Sequence, residues 1–324
     1  MSWLVTGGAG YIGAHVVRAL VDARIDPVVL DDLSSGLESF VPSDVPFVRA
    51  SILDRDAVLG ALRDHGVTGV IHCAGYKYAG ESVKHPLHTY EQNVDGTRVL
   101  LSAMAEAEVT GLVFSSSAGV YGTPSTAVVD EQTGTFPESP YGESKLIGEW
   151  LIRDQERATA GSEAPLKATS LRYFNVVGSS YEDIWDASPH NLLPKVFDRI
   201  VAGHSPVIAG TDYDTPDGTC VRDYVHVGDL AISHVAAARA LDAGIALEKV
   251  YNLGSGAGSS VRQIMEAIVA ATGTDLPIEE GPRRPGDPAS IVAKGELATR
   301  DLDWEMRHTI EEMVASAWAS HPKA

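Results

Sequence analysis

Short apolar runs alternate with amphipathic helical patterns through the first half of the chain. Residues 2–6 are apolar with β character, and apolar positions at helical spacing follow at once at Ile12, Val16 and Leu20. Predicted strands cover 2–6, 27–31, 45–49, 69–73, 111–116 and 167–174, and predicted helices lie near 11–23, 54–65, 91–108 and 141–159. This alternation predicts an α/β fold with a doubly wound parallel sheet.

The pattern becomes irregular after about residue 176, where Pro, Gly and Asn are frequent. Helical periodicity returns in three segments, 228–243, 260–272 and 309–318. We therefore predict a nucleotide-binding domain over 1–176 and a smaller mixed α/β substrate-binding lobe over 177–324. Two segments of the second half are expected to pack back on the first domain, near 222–254 and 297–320.

A glycine-rich turn separates the first predicted strand from the first predicted helix, in the string GGAGYIG. Strand, glycines and helix in this order are the context in which such a turn indicates dinucleotide binding, as in Rossmann-type folds. Gly7 permits the tight turn, Gly10 allows the backbone to approach a pyrophosphate, and Gly13 allows close packing of helix on strand. The helix N-terminus then offers N–H groups to two phosphates.

Asp31 ends the second predicted strand, where an acid binds the ribose hydroxyls of an adenosine. A carboxylate there repels a 2′-phosphate, and no Arg or Lys lies between Asp31 and Phe47. The predicted cofactor is therefore NAD and not NADP.

Tyr141 and Lys145, in the string YGESK, indicate proton transfer beside a nicotinamide ring. Residues four apart lie on one face of a helix, so the Lys145 ammonium is expected beside the Tyr141 phenol. A tyrosine ionises only near pH ~10, and lowering its pKa by ~3 units needs ~4 kcal/mol, which Lys145 and an oxidised nicotinamide could supply jointly. Ser117, in FSSSAGVYG, is expected to hydrogen-bond to the same hydroxyl. Alone, the YxxxK spacing is also compatible with an ordinary helix start.

Composition excludes several classes of protein. The 324 residues carry 25 Lys and Arg against 44 Asp and Glu, a net charge of −19, which argues against a nucleic-acid partner. No apolar run approaches the ~18 residues of a membrane span, and the first predicted strand begins at residue 2, so we expect neither membrane anchor nor signal peptide. The two cysteines, Cys73 and Cys220, suit a reducing compartment, and we expect a cytoplasmic protein. The 11 His show no metal-ligand spacing, so no metal is expected.

Ten blocks of sequence resemble one family along nearly the whole chain, from residue 2 to about residue 318. They are VTGGAGYIG, GYKYAGES, NVDGT, FSSSAGVYG, SPYGESK, LRYFN, HNLLP, GTCVRDYVHV, YNLGSG and RRPGD. Their order and spacing are similar to those of UDP-glucose (UDP-galactose) 4-epimerases, members of the extended short-chain dehydrogenase family. The resemblance implies reversible 4-epimerisation through a transient 4-keto sugar with tightly bound NAD, in a cytoplasmic homodimer.

The resemblance also implies roles for individual residues. The implied catalytic residues are Ser117, Tyr141 and Lys145. The implied cofactor site adds Tyr11, Ile12, Ile52, Lys77, Asn93 and Tyr173 to the three glycines and Asp31. The UDP-sugar is expected to contact Lys77, Ser117, Asn175, Asn191, Leu192, Arg222, Tyr224, Arg284 and Asp287. The two arginines would supply the phosphate contacts that lysine makes less well.

Four positions depart from the pattern of the family. Ser51 stands where relatives often have an Asp that contacts adenine, and Gly119 where they often have Thr. Ala209 stands where some relatives have an aromatic residue near the uracil. Ile291 occupies the position that helps to set room for an N-acetyl group, and its bulk predicts a preference for plain UDP-glucose and UDP-galactose.

Other functions remain open from the sequence. Another NAD-dependent nucleotide-sugar epimerase, acting on UDP-N-acetylhexosamine or UDP-glucuronate, has the same machinery. A 4,6-dehydratase needs extra acids to eliminate water, and Ser117-Ala118-Gly119 offers none. A non-catalytic NAD-binding regulator is expected to lose Tyr141 or Lys145, and this chain keeps both. A dehydrogenase would differ from an epimerase by releasing free NADH in each cycle.

Overall fold

Fifteen strands and eleven helices make up the part of the chain that the computed structural model describes, residues 1–283 and 288–322. The strands are β1 Ser2–Thr6, β2 Asp26–Asp31, β3 Phe47–Arg49, β4 Val67–His72, β5 Gly111–Ser117, β6 Val128–Val129, β7 Lys167–Tyr173, β8 Asn175–Val177, β9 Val207–Ala209, β10 Val221–Arg222, β11 Tyr224–His226, β12 Val250–Leu253, β13 Ser259–Ser260, β14 Glu279–Gly281 and β15 Ser290–Ala293. The helices are α1 Tyr11–Asp22, α2 Arg55–Asp64, α3 Ala79–Lys84, α4 Pro86–Tyr90, α5 Gly96–Glu106, α6 Pro140–Thr159, α7 Leu192–Val201, α8 Val227–Asp242, α9 Val261–Thr272, α10 Glu296–Leu302 and α11 Ile310–Ser320.

The central sheet has seven parallel strands in the order β12-β7-β5-β4-β1-β2-β3. The chain builds outward from β1 to β2 and β3, and then continues on the other side of β1 with β4. The direction of building therefore reverses between β1 and β4. In open parallel sheets, ligands bind in the crevice at the carboxyl ends of such a pair of strands.

Helices cover both faces of this sheet, as the alternating sequence predicts. One apolar cluster joins Trp3 and Val5 of β1 to α1 and α8, and a second joins Leu4 and Val70 to α2 and α5. Because β1 is buried on both faces of the sheet, its residues 3–5 are all apolar and show no alternation with polar residues. The Rossmann-type α/β fold predicted from the sequence is confirmed.

A separate apolar cluster lies in the second half of the chain. It is formed by α7, α9 and α11, with Phe197, Ile264, Ile268 and Val314 in its interior. The small sheet β13-β10-β15-β6 and the pairs β8-β11 and β9-β14 connect this cluster to the central sheet.

The predicted elements of the first half are confirmed, with shifts of a few residues at their ends. The helix predicted over 91–108 differs most, because a π-helical turn, Glu91–Asp95, links α4 to α5. The seventh strand, β12, was not predicted, although it lies within the segment 222–254 that was expected to pack back. Tyr251 of β12 and Trp304 belong to the cluster around Trp3, whereas α11 packs on α9 and α7. The division into two domains stays a prediction.

Candidate functional site

A cavity of about 740 Å³ opens at the carboxyl ends of β1 and β4 and extends to α7 and β10. It is lined by both halves of the chain. Seventeen of the predicted cofactor, catalytic and substrate residues line it: Gly7, Gly10, Tyr11, Ile12, Gly13, Asp31, Ile52, Lys77, Ser117, Tyr141, Lys145, Tyr173, Asn175, Asn191, Leu192, Arg222 and Tyr224. The fold thus brings the predicted dinucleotide, catalytic and substrate residues to one place.

The glycine turn is packed so tightly that side chains cannot replace its hydrogens. Gly7 has φ +71°, and a Cβ there would lie 2.7 Å from the backbone nitrogen of Ala74. A Cβ on Gly13 would lie 2.1 Å from the carbonyl oxygen of Gly7. Gly10 caps α1 without a side-chain hydrogen bond, and the first turn of α1 contains no acid. This cradle, with helix N–H groups facing the cavity, fits the pyrophosphate of a dinucleotide.

Asp31 ends β2 beside this turn. Its two carboxylate oxygens accept hydrogen bonds from the backbone N–H groups of Ala9, at 3.0 Å, and Leu33, at 2.8 Å. Burial raises the pKa of Asp31, while these two hydrogen bonds and the charge of Lys77 oppose the rise. Each oxygen keeps a second lone pair for a ribose hydroxyl.

Tyr141 and Ser117 meet where β5 ends and α6 begins. Ser139 caps α6 by accepting a hydrogen bond from Gly142, and Pro140 occupies the first turn, where its missing N–H costs nothing. Burial raises the pKa of the Tyr141 phenol, and a hydrogen bond with the Ser117 side chain opposes part of that rise. Tyr141 is therefore a half-buried phenol that lies near the Ser117 hydroxyl, and the role of both in proton transfer stays a prediction.

Lys145 lies one turn further along α6 and is almost fully buried. Its Nζ donates a hydrogen bond to the carbonyl oxygen of Ser115, at 2.9 Å, and lies 5.1 Å from the centre of the Phe114 ring. Burial lowers the pKa of Lys145 to about 8. Lys145 and Tyr141 line the same cavity, and direct contact between the ammonium and the phenol stays a prediction.

Asn93 does not itself line the cavity, and its part in the cofactor site stays a prediction. Its side chain accepts a hydrogen bond from the N–H of Tyr76, at 2.6 Å, and donates to the Tyr76 carbonyl and to Ser144 Oγ of α6. A Cβ on Gly75, which has φ +147°, would lie 2.7 Å from the Asn93 side-chain oxygen. Asn93 therefore fixes the loop that follows β4 against α6.

The second half of the chain contributes polar groups to the far end of the cavity. Asn191 caps α7 and donates a hydrogen bond to Asp186, at 2.7 Å. Arg222 Nη1 donates to the carbonyl oxygens of Val221 and Pro288. Ala209 also lines the cavity, and its place near the uracil stays a prediction. The predicted substrate residues Arg284 and Asp287 lie outside the described residues.

The structure shows the surroundings of Gly119 and Ile291, two of the four positions that depart from the family pattern. A Cβ on Gly119 would lie 3.4 Å from Ser117 Oγ and 3.7 Å from Tyr141 Cε1, so the site has room for a side chain there. Ile291 does not line the cavity and is buried against Val120 and Tyr121. The expectation that Ile291 restricts the space around the sugar is therefore corrected.

Comparison with known proteins identifies the family. The sequence profile of the NAD dependent epimerase/dehydratase family matches residues 3–254. The UDP-glucose 4-epimerase of Azospirillum brasilense is 42% identical over 319 residues, which are 97% of this chain and 90% of that protein. The chain belongs to the NAD-dependent epimerase/dehydratase family.

Solved structures of this family superpose on nearly the whole chain. The UDP-glucose-4-epimerase of Stenotrophomonas maltophila, with bound NAD and formylated UDP-arabinopyranose, gives a TM-score of 0.91 at 38% identity and covers 99% of this chain and 97% of that one. The enzyme of Bifidobacterium longum, in complex with NAD+ and UDP, gives 0.87 at 36% identity, with 99% and 98% covered. The family thus agrees with the NAD cofactor expected from Asp31 and the glycine turn.

The structure also brings four aromatic and imidazole side chains to the cavity that were not predicted as site residues from the sequence. Tyr76, Tyr78, His88 and His190 line it and contact one another edge to face or tilted. Tyr76 and Tyr78 lie within the quoted block GYKYAGES on either side of Lys77, so that block carried the signal. His190 is the first residue of the quoted block HNLLP, whereas His88 lies outside the ten blocks and is brought to the cavity only by the fold.

Three residues of this family member could hold a metal ion by distance alone: His226, Asp229 and His308, whose ligand atoms lie within 4.8 Å of one another. The two imidazole rings are stacked at 3.8 Å with 21° between their planes. A metal lies in the plane of each imidazole that binds it, and two nearly parallel stacked planes do not meet at one ion. His308 Nδ1 instead lies 3.0 Å from Asp229 Oδ2, and His226 Nδ1 accepts a hydrogen bond from Gly228.

His234 is buried beneath the cavity and is expected to make the stability depend on pH. Its Nδ1 faces the carbonyl oxygen of Leu230, at 2.9 Å, so Nδ1 donates and Nε2 accepts from Ser115 Oγ, at 3.0 Å. Burial lowers the pKa of His234 to about 4. Between about pH 6.5 and pH 4, His234 is protonated in the unfolded chain but stays neutral in the folded protein. The free energy of unfolding therefore decreases as the pH falls, by up to about 1.4 kcal/mol per pH unit.

The variant His234→Gln removes this group and is expected to reduce the slope of the unfolding free energy between pH 6.5 and 4.5 by up to about 1.4 kcal/mol per unit. Urea titrations at several pH values measure that slope. His204→Gln makes the same change at an exposed position and is expected to leave the slope unchanged. Equal slopes for His234→Gln and the unaltered protein would show that His234 does not cause this pH dependence of stability.

Proposed function

We propose that this protein is a UDP-glucose 4-epimerase, which interconverts UDP-galactose and UDP-glucose through a transient 4-keto sugar with tightly bound NAD. One observation carries the proposal: the Tyr141 and Ser117 hydroxyls lie in the same cavity as the glycine turn at one end and Arg222 at the other. Relatives at about 40% identity over essentially the whole chain are UDP-glucose 4-epimerases.

The proposed chemistry uses Tyr141 as the group that takes the proton of the sugar 4′-hydroxyl and returns it. Ser117 holds the shared proton through its hydrogen bond to the phenol. When bound, oxidised NAD supplies the hydride acceptor and a positive charge beside the phenol. Because burial raises the pKa of Tyr141 in the chain alone, that charge is what favours the phenolate. Lys145 is proposed to hold the ribose that carries the nicotinamide.

Epimerisation requires the hexose to turn while its nucleotide handle stays fixed. Binding energy should therefore fall on the uridine diphosphate, far from Tyr141. Arg222, Asn175 and Asn191 are proposed to hold it, and Leu192 and Tyr224 to pack against it, since all five line the far end of the cavity. Arg222 also offsets the net charge of −19, which would otherwise repel a diphosphate.

Rival reactions on the same fold lack their characteristic groups here. Elimination of water needs acids next to Ser117, and the residues that follow it are Ala118 and Gly119. A regulator without catalysis is expected to lose Tyr141 or Lys145, and both residues are present in the cavity. Acceptance of UDP-N-acetylhexosamines or UDP-glucuronate is a separate question, because Ile291 does not limit the cavity.

Incubation of the purified protein with UDP-galactose tests the proposal. UDP-glucose is expected to form without added cofactor, and the reverse reaction is expected from UDP-glucose. Absence of product even after addition of NAD would reject the function, and stoichiometric release of NADH would identify a dehydrogenase instead. A panel of UDP-N-acetylhexosamines and UDP-glucuronate on the same preparation defines the substrate range.

We also propose a homodimer and a cytoplasmic location. Trp150 of α6 and Leu87 of α4 are exposed large apolar side chains, and α4 packs on α6, so they offer a face for a second copy. Leu146 and Leu151 of the same helix pack inside the protein. Cys73 and Cys220 are unpaired, as suits a reducing compartment. Among the residues the structure describes, no helix is long and apolar enough to cross a membrane.

A further inference from the structure

A buried ion pair joins the helix that carries Tyr141 and Lys145 to the strand that carries Tyr173. Glu149 lies in α6 and Arg172 in β7. The guanidinium makes two parallel contacts with the carboxylate, Nε to Oε1 at 2.8 Å and Nη2 to Oε2 at 2.6 Å. The side chains are only 8% and 6% exposed. Such a two-pronged contact fixes direction as well as distance.

Further hydrogen bonds extend this pair to two other elements. Ser116 of β5 donates to Glu149 Oε1 at 2.6 Å, and Arg172 Nη1 donates to the Tyr121 hydroxyl at 3.0 Å. Tyr121 donates in turn to Asn252 of β12, at 2.7 Å. One buried network therefore holds α6, β5, β7, β12 and the short 3-10 helix Ala118–Tyr121 together.

The members of this network are the chain neighbours of the site. Ser116 and Arg172 are partners on adjacent strands, and the next pair in the same register is Ser117 and Tyr173. Glu149 follows Tyr141 and Lys145 at intervals of four residues, so all three lie along one face of α6. A shift of Glu149 along the helix axis would thus move Tyr141 relative to Ser117.

We propose that Glu149 and Arg172 are positioning residues, which fix α6 against β5 and β7 and so keep the Tyr141 phenol close to the Ser117 hydroxyl. Neither side chain lines the cavity, so neither is proposed to contact the cofactor or the substrate. A buried pair is often no more stabilising than two apolar side chains of similar volume, so its loss need not unfold the protein. The loss of a geometry set to within an ångström does slow a reaction.

The double variant Glu149→Met/Arg172→Met tests this, because it leaves no unpaired buried charge. The kinetic arm rests on the proposed epimerase function. We expect kcat to fall at least tenfold, with KM for UDP-galactose within about threefold, since the diphosphate end is untouched. Arg172→Lys keeps the charge without the fork and is expected to lose activity as well. Lys249→Met removes an exposed ion pair with Glu156, also of α6, and serves as the control with unchanged kcat.

The milder variant Tyr121→Phe keeps the ion pair and is expected to lower kcat three- to tenfold, which covers the case in which the double variant does not fold. A folded double variant with kcat within twofold of the unaltered protein would overturn the proposal, as would full activity in both Arg172→Lys and Tyr121→Phe. If the unaltered protein binds NAD and does not epimerise, the proposed function alone fails. The positioning role is then read from the NAD dissociation constant of the same variants. It is expected to rise at least tenfold, because a shift of α6 also displaces Lys145, and to be unchanged in Lys249→Met.

Discussion

Tyr141→Phe is expected to lower kcat for UDP-galactose epimerisation about 10²- to 10⁴-fold, the range that general acid–base catalysis contributes. The change removes one oxygen atom and keeps the ring that fills the site. Ser117 keeps its hydroxyl in the variant, but an aliphatic hydroxyl is a much weaker acid than a phenol and does not supply the anion that takes the proton of the sugar. Bound NAD is expected to remain, since the glycine turn and Asp31 are untouched.

Initial rates and the NAD content of the purified variant measure the two halves of this prediction. Tyr181→Phe is the matched control, because Tyr181 does not line the cavity and its hydroxyl bonds to Asp22 on the surface. It is expected to keep full activity. If Tyr141→Phe turned over at the normal rate, Tyr141 would have no part in the chemistry. If it lost NAD instead, the residue would belong to the cofactor site alone.

The parts of the site that lie within one short segment could be predicted from the sequence. The glycine turn follows directly from β1 and leads into α1, so local spacing alone placed Gly7, Gly10 and Gly13. The position of Tyr141 could be predicted equally well, because Ser139 and Pro140 mark the start of the helix in whose first turn Tyr141 lies.

Contacts made between distant segments could not be predicted in the same way. Helical spacing predicted the side of α6 on which Lys145 lies, but not its hydrogen bond to the Ser115 carbonyl, because that bond depends on β5 passing beside α6. Ile291 was assigned by its position in a motif, and packing of β15 turns it toward Tyr121. The ion pair of Glu149 and Arg172 gave no local signal, since 23 positions separate the two residues.

Short elements were also beyond the reach of hydropathy patterns. The strand β12 has only four residues, too few for alternation to distinguish a strand from a buried turn. It is specified instead by its parallel pairing with β7, which is a tertiary contact. The π-helical turn Glu91–Asp95 inserts into a pattern that reads as one helix, and its consequence is that Asn93 faces the loop after β4.

Gly13→Ala is expected to weaken NAD binding about 100-fold, which corresponds to about 2.8 kcal/mol. The new Cβ would lie 2.1 Å from the Gly7 carbonyl oxygen and 2.9 Å from Gly8 Cα, and both are backbone atoms that no rotamer change can move. Either α1 moves away from the turn or the turn opens, and each separates the helix N–H groups from the pyrophosphate. Overpacking of this kind also costs about 1–3 kcal/mol of folding free energy.

Gly60→Ala is the matched control for this change. Gly60 also lies inside a helix, α2, and the nearest atom to its new Cβ would be Asp64 Oδ2 at 3.9 Å. The substitution is expected to leave NAD affinity unchanged and to raise the free energy of unfolding by about 0.5–1 kcal/mol, since alanine restricts the unfolded chain. Titration of NAD by calorimetry and urea unfolding measure both quantities. Equal NAD affinity in the two variants would mean that the close approach of α1 to β1 does not create the phosphate site.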